Sequence, residues 1–273
     1  MKKSPSISAI IIAKNEESMI ANCIDTVAWC DEVLLINNNS TDGTTQLARN
    51  MGVRVVDFHS DSFAKIRTEA LLKAKTDWIF YIDADERVTP KLSQEILVNI
   101  ETAEVPVLKI KRKNMMYGKY FNHGGWQNDW IERVFLRSSL TGWKGVVHES
   151  PLYKGEVKKL HHELIHLTHR NTQSNFIKSA QWTKKEAKLL FKAKTKKVTL
   201  VTLFRKSTME FLRRTIIFGA RKDGMEGLIE SLVQGMNKFL VYLQLWELQQ
   251  KPSLEEKYTA EEKRIANLWK KTK

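Results

Sequence analysis

Asp83-Ala84-Asp85-Glu86 follows an apolar run, Trp78 to Ile82. The run is short and rich in aromatic and β-branched residues, so it reads as a buried strand that delivers its acidic end to a sheet edge. Residues two apart in an extended segment point the same way. Asp83 and Asp85 would then offer two hard oxygen ligands to Mg²⁺ or Mn²⁺, with waters and substrate phosphates completing the shell. A cation so placed neutralises a departing diphosphate. The plainer use of either carboxylate is to cap the next turn or to pair with Arg87. Ligands of open α/β sheets gather beyond the carboxyl ends of the strands, which favours metal or nucleotide contact.

Two other apolar runs end in polar clusters: Lys14-Asn15-Glu16 after Ile7–Ala13, and Asn37 to Asp42 after Glu32–Ile36. Ser40, Thr41 or Asp42 suits the N-cap of a following helix, whose N-terminus could also face a ligand. Lys65 and Arg67 interrupt an otherwise apolar helical pattern, either as solvated charges or as groups that reach a diphosphate. His162-Glu163-Leu164-Ile165-His166 matches H-E-x-x-H letter for letter. That motif binds zinc only on a helix, where both imidazoles share a face. The flanking pattern here is strand-like, and four residues along a strand span ~13 Å. This geometry argues against a zinc protease.

The elements that position these residues alternate. Strands are predicted at 6–13, 32–37, 53–57 and 77–82. Helices are predicted at 17–28, from Asp42-Gly43 to Met51 with Gly52 as its stop, at 63–74 and at 90–100. The order βαβαβαβα implies an α/β fold with a mostly parallel sheet and helices on both faces. From Val105 to about Thr168 come short strand-like runs, 107–110, 133–136, 145–147 and 164–168, expected to extend the sheet antiparallel over its open edge. From Asn171 the chain reads as helical. The expected division is an α/β domain at 1–170, in two parts at 1–104 and 105–170, followed by a basic amphipathic helical region at 171–273.

At 273 residues the chain allows one large domain, or a domain and an appendage. Its two cysteines exclude a disulfide scaffold and suit a reducing cytoplasm. Neither a signal peptide nor a membrane span is expected. The net charge of +14 falls wholly after residue 150. Such a segment seeks an anionic partner: a membrane surface, a nucleic acid or a phosphorylated substrate. Residues 196–220 interleave Val198, Val201, Leu203, Phe204, Ile216 and Ile217 with Lys196, Arg205, Lys206, Arg213 and Arg214, and 225–249 form a second apolar helix. This pattern suits an anionic lipid interface. The alternative is packing on the catalytic domain or on a second copy, as a homo-oligomer. No helix-turn-helix, zinc-finger or RNP-type motif accompanies the charge, so no nucleic-acid partner is expected. A nucleotidyltransferase on a similar sheet would release pyrophosphate, not a nucleoside diphosphate.

The runs IIIAKNEE (10–17), INNNSTDGT (36–44) and FAKIRTEALLKAKTDWIFYIDADE (63–86) together resemble the N-terminal half of family 2 glycosyltransferases of the GT-A fold. GWQNDWIERVFLR, GVVHE, IHLTHR and FGARKDGMEGL resemble the lipopolysaccharide-core β-glucosyltransferase branch. The resemblance implies inverting transfer from a nucleotide-sugar, UDP-glucose or similar, to a hydroxyl of a glycan or glycolipid acceptor. It also implies a peripheral position at the inner face of the cytoplasmic membrane. Asp83 and Asp85 match the family's D-x-D, with Asp85 the direct metal ligand, and Ala84 lies between them at the nucleotide-sugar. Ala13, Asn15 and Glu16 match the first nucleotide-binding loop. Asn37 and Asn38 stand where the family usually has Asp facing the base; they keep an acceptor oxygen and lose the charge. Arg67 matches the Arg of an R-N pair whose Asn is Thr68 here. His166 is implied to approach the diphosphate or metal, or else to be a hydrogen-bonded structural histidine. Inversion in one displacement needs a general base. Glu149 is the expected base, with Asp129 as the alternative.

Overall fold

The computed structural model describes residues 4–145 and 149–271. The chain divides into two compact units, Met1–Phe121 with Trp126–Arg170, and Asn122–Gly125 with Asn171–Lys273.

In the first unit, β1 (Ile7–Ala13) is buried along its whole length. Ile7, Ala9, Ile11 and Ala13 enter one core and Ile10 and Ile12 another, so both faces of the strand are covered. That is why its sequence is almost continuously apolar. β2 (Glu32–Asn37) and β4 (Trp78–Asp83) flank β1 in parallel, and β3 (Arg54–Asp57) pairs parallel with β2. The connecting helices are α1 (Glu17–Asp25), α2 (Thr44–Asn50) and α3 (Phe63–Lys73), with α4 (Pro90–Thr102) after β4. α1 and α4 contribute Ile20, Cys23, Leu92 and Ile96 to the first core, while α3 contributes Ile66, Ala70 and Leu71 to the second. The helices therefore lie on both faces. Thr89 caps α4, accepting from Leu92 N, with Pro90 in the first turn. Cys23 and Cys30 are free and buried.

The remaining strands of this unit are β5 (Glu86–Arg87), β6 (Val107–Met116), β7 (Lys119–Tyr120), β8 (Trp130–Leu136), β9 (Leu140–Lys144), β10 (Ser150–Tyr153) and β11 (Val157–Leu167). The main sheet runs β3-β2-β1-β4-β8-β6-β11-β5, with β7 beside β6, and β9 and β10 form a separate ribbon. β8 is antiparallel to both β4 and β6, as an antiparallel extension requires, but β11 is parallel to β6. The long connection through β8 and the ribbon lets β11 return in the same direction as β6. Of the run expected at 145–147, Gly145 follows the end of β9, and Val146 and Val147 lie outside the described residues.

β5 decides the position of the acidic motif. It leaves β4 through a turn at Ala84-Asp85 and pairs antiparallel with β11, placing Glu86 opposite His166 and Arg87 opposite Ile165. Asp83 and Asp85 are therefore not two residues of one extended strand. Asp83 closes β4 and Asp85 sits in the turn, so the alternation rule does not orient them together.

The second unit contains α5 (Thr172–Lys192), α6 (Leu200–Leu212), α7 (Gly224–Leu248) and α8 (Leu254–Lys271). A π-helical turn, Arg213–Ile217, extends α6, and a 3₁₀ turn, Ala220–Asp223, leads into α7. α6 and α7 approach closely at Gly235, where Ser207 Oγ donates to Gly235 O at 2.8 Å. A Cβ at Gly227 would stand 2.0 Å from Ala220 O, so only glycine fits that approach. Asp223 accepts from Asn122 N and His123 N and meets His123 Nδ1 at 2.9 Å, tying the 122–125 loop to this unit. Among the described residues, no helix is long and apolar enough to cross a membrane.

Candidate active site

Three loops at the carboxyl ends of β1, β2 and β4 form the site. The first two brace each other. Asn15, at φ 57°, accepts from Thr41 N through Oδ1 (2.7 Å), and its own N donates to Ser40 Oγ (3.1 Å). Glu16 N donates to Thr44 Oγ1, and Glu17 N to Asp42 Oδ2. Asn38 N returns to Ala13 O at 2.9 Å. Gly43, not Ser40, Thr41 or Asp42, occupies the N-cap of α2. Asp42 instead accepts from Thr44 N and Oγ1, which with the Glu17 N bond holds its carboxyl below the usual range against the raising effect of burial.

Asn37 and Asn38 are turned into this framework. Asn37 donates to Asp57 Oδ1 (2.7 Å) and accepts from Ser40 N (2.9 Å). Asn38 Oδ1 accepts from Ser60 N and meets His59 Nδ1 at 3.0 Å. Both side-chain oxygens expected to face a base are thus already engaged. The amide geometry wants neighbouring partners, and the loops supply them.

Asp83 is equally engaged. Oδ1 accepts from Arg67 at 3.1 Å and Oδ2 from Arg133 at 2.5 Å. Burial opposes ionisation, but Arg133 first and then Arg67 overcome it and hold this carboxyl far below the usual range. Asp83 is therefore an anion anchored by two guanidinium groups. Arg133 also meets Glu86 Oε1 at 2.5 Å, and Glu86 Oε2 accepts from Asp83 N at 2.9 Å. Glu86 is fully buried, so this pair pins the turn that carries Ala84 and Asp85. Ala84 is itself buried, its carbonyl accepting from Arg87.

Asp85 faces His166: Oδ2 and Nε2 lie 3.5 Å apart. His166 Nδ1 is 2.6 Å from Asn114 Oδ1, and Asn114 Nδ2 donates to Asp129 Oδ2 at 3.0 Å. Metal-binding histidines are usually held in this way by their other nitrogen. One carboxylate oxygen beside one imidazole nitrogen suits a divalent cation that accepts mixed N and O ligands. Among the described residues no group of three or more His, Cys, Asp or Glu could hold a metal, so water and phosphate must complete any shell here.

Asp129 does not have the environment of a base. Burial would raise its pKa, but the Arg112 fork (2.9 and 3.0 Å) and the Asn114 amide hold it below the usual range. Such a carboxylate is a weak proton acceptor. Glu149 differs: its Oε1 is buried with no hydrogen-bond partner. His148, the neighbour in the expected motif, lies outside the described residues.

Arg67 lies on α3 with its guanidinium 4.9 Å from the Trp143 ring centre and 5.5 Å from that of Tyr81. Lys65, exposed on a different face of α3, lines a groove of about 450 Å³ with Phe58, Ser62, Thr68, Trp143 and Lys144. His162, the other histidine of the H-E-x-x-H string, lies on β11, in a strand as expected, and pairs with Glu95 of α4 at 2.8 Å.

Arg133, Glu86, Arg112, Asn114 and Trp143 were not read from the sequence as site residues. A charge at the head of the otherwise apolar run Arg133–Leu136 was the one available signal for Arg133. The partners of the others come from strands distant in sequence.

Comparison with known proteins identifies the family of the chain. The profile described as Glycosyl transferase family 2 matches residues 8–217. The lipopolysaccharide core biosynthesis glycosyltransferase LpsC of Rhizobium meliloti is 26% identical over 255 residues, covering 88% of this chain and 92% of its own. An uncharacterized glycosyltransferase of Rickettsia typhi, RT0209, is 38% identical over 97 residues, and the match spans 32% of that protein's length. Among solved structures, Staphylococcus aureus TarS 1–349 in complex with UDP-GlcNAc aligns with a TM-score of 0.47 at 13% identity, over 91% of this chain and 92% of that one. With the family profile spanning most of the chain and a mixed sheet clad by helices on both faces, the protein is a glycosyltransferase of GT-A type and belongs to glycosyl transferase family 2.

Proposed function

We propose that this enzyme moves a sugar, with inversion, from a nucleoside-diphosphate sugar such as UDP-glucose to a hydroxyl of a glycan or glycolipid acceptor. The observation that carries the proposal is the Asp85–His166 pair, 3.5 Å apart on a turn pinned by buried Glu86 and Arg133. Bound there, Mg²⁺ or Mn²⁺ would neutralise charge on the departing nucleoside diphosphate. Asp85 and His166 would hold the ion. Arg67 carries an Nε with no partner, and with Lys65 it supplies positive charge for the donor phosphates. Ala13, Asn15, Glu16, Asn37 and Asn38 shape the nucleotide end of the site, the two asparagines as loop frame. Glu149 is the proposed base. Its buried Oε1 is costly to leave unpaired, and an acceptor hydroxyl would satisfy it while giving up its proton.

The similarity to LpsC over 88% of the chain supports a place in lipopolysaccharide or other cell-surface polysaccharide synthesis. A cytoplasmic, peripheral position at the inner membrane face is supported by the second unit. There Leu200, Val201, Phe204, Ile216 and Ile217 are each more than half exposed, among Arg205, Arg213 and Arg214.

A donor screen tests the function directly, measuring nucleoside diphosphate released by slow hydrolysis in Mn²⁺ without acceptor. Asp85→Asn is expected to lower cation-dependent release about 10²–10³-fold, the scale for losing one transition-state charge stabiliser, with an unchanged melting temperature in the absence of ligand. Near-normal turnover in that variant would overturn the assignment.

A further inference from the structure

We infer that Asn114 is a positioning residue that sets the tautomer of His166 and aims its Nε2 at the ion-binding position beside Asp85. The inference rests on the cation reading above. It begins at Arg112, whose Nε and Nη2 donate to the two oxygens of Asp129 at 2.9 and 3.0 Å. A carboxylate gripped by this fork is ionised and can only accept. Asn114, fully buried, meets that carboxylate at 3.0 Å and must therefore present its NH₂ to it. Its carbonyl oxygen is then left for His166, 2.6 Å away. An amide oxygen can only accept, so His166 Nδ1 carries a proton. Whenever the ring is neutral, its lone pair therefore resides on Nε2, on the side of Asp85.

The direction of every hydrogen bond in the chain Arg112–Asp129–Asn114–His166 follows from its first member. The register of the sheet makes the chain possible, because β11 pairs with β6 so that His166 lies beside Asn114, and with β5 so that it lies beside Glu86. Asp129 thus acts through the histidine and not on the acceptor.

The test uses the full chain and has two readouts. In the metal-free protein, ¹⁵N NMR of His166, assigned against His166→Gln, is expected to show the Nδ1-protonated tautomer. The Nε2-protonated form in the wild type would overturn the inference. In the second readout, free Mn²⁺ is titrated by electron paramagnetic resonance with UDP present. Asn114→Leu is expected to weaken Mn²⁺ binding about 10–100-fold, the usual cost of losing such an outer partner. Asn114→Asp keeps an oxygen facing Nδ1–H and is expected to bind Mn²⁺ more tightly than the Leu variant. A purely space-filling role gives the opposite order, since Leu tolerates burial and a second carboxylate beside Asp129 does not. A wild-type chain with the expected tautomer that takes up no Mn²⁺ would refute the cation reading itself. Normal Mn²⁺ binding in Asn114→Leu would refute the role of Asn114 alone.

Discussion

Replacing Arg133 by Met leaves two carboxylates of the site facing each other with their common partner gone. The guanidinium Nη2 lies 2.5 Å from Asp83 Oδ2 and from Glu86 Oε1, and its side chain is 6% exposed. Met matches the length of the stem and removes the charge. Breaking a buried pair by deleting one partner costs about 3–5 kcal/mol, because the remaining charge is left uncompensated. Arg67 still holds Asp83 at 3.1 Å and Arg112 lies 3.5 Å from Glu86, which places the expected loss at the lower end, about 3 kcal/mol. At 2–4 °C per kcal/mol this lowers the melting temperature by about 6–12 °C. Adding Glu86→Gln removes one of the two stranded charges and should return part of that loss. The pH dependence carries a definite sign. Asp83 titrates below its unfolded value of about 3.9, so its pairing stabilises the fold above that pH and is lost as pH falls towards the folded value. The deficit of Arg133→Met should be full at pH 7 and shrink below about pH 4. Urea unfolding followed by circular dichroism, run at pH 7 and at the lowest pH where both proteins fold, measures it. A deficit under about 1 kcal/mol, or one that does not change with pH, would mean that Arg133 contributes packing and not charge.

Two further outcomes are expected. Glu149→Gln should lower acceptor transfer about 10²–10⁴-fold, the range for a general base, while donor binding measured by a UDP-induced melting shift stays intact; equal loss of both would remove the base assignment. Replacing Ile216 and Ile217, 57% and 75% exposed, with Glu should weaken sedimentation with anionic vesicles about tenfold or more, because each buried isoleucine contributes at least about 1.5 kcal/mol. Unchanged vesicle binding would leave a second copy of the chain as the occupant of that face.

The first half of the first unit was legible because its signals are local. β1, β2 and β4 are covered on both faces, so their sequences are mostly apolar runs, and α3 and α4 begin at Ser62 and Thr89 with side-chain caps. The second half was less so. β6 and β11 extend well beyond the short runs expected at 107–110 and 164–168, because their outer residues, among them Lys111, Lys113 and Glu163, are charged and pair across strands. A period-based reading stops at such charges.

From the sequence alone came the residue types at the strand ends, the acidic motif, the strand character of the H-E-x-x-H string and the charge asymmetry of the chain. All of these are properties of short segments or of composition. The tertiary structure alone decided what surrounds each carboxylate. Asp83 is neutralised by Arg67 and Arg133, while Asp85 is swung into a turn beside His166. The physical reason is that β5 pairs with β11, some 80 residues later, and a pairing over that distance leaves no trace in local pattern.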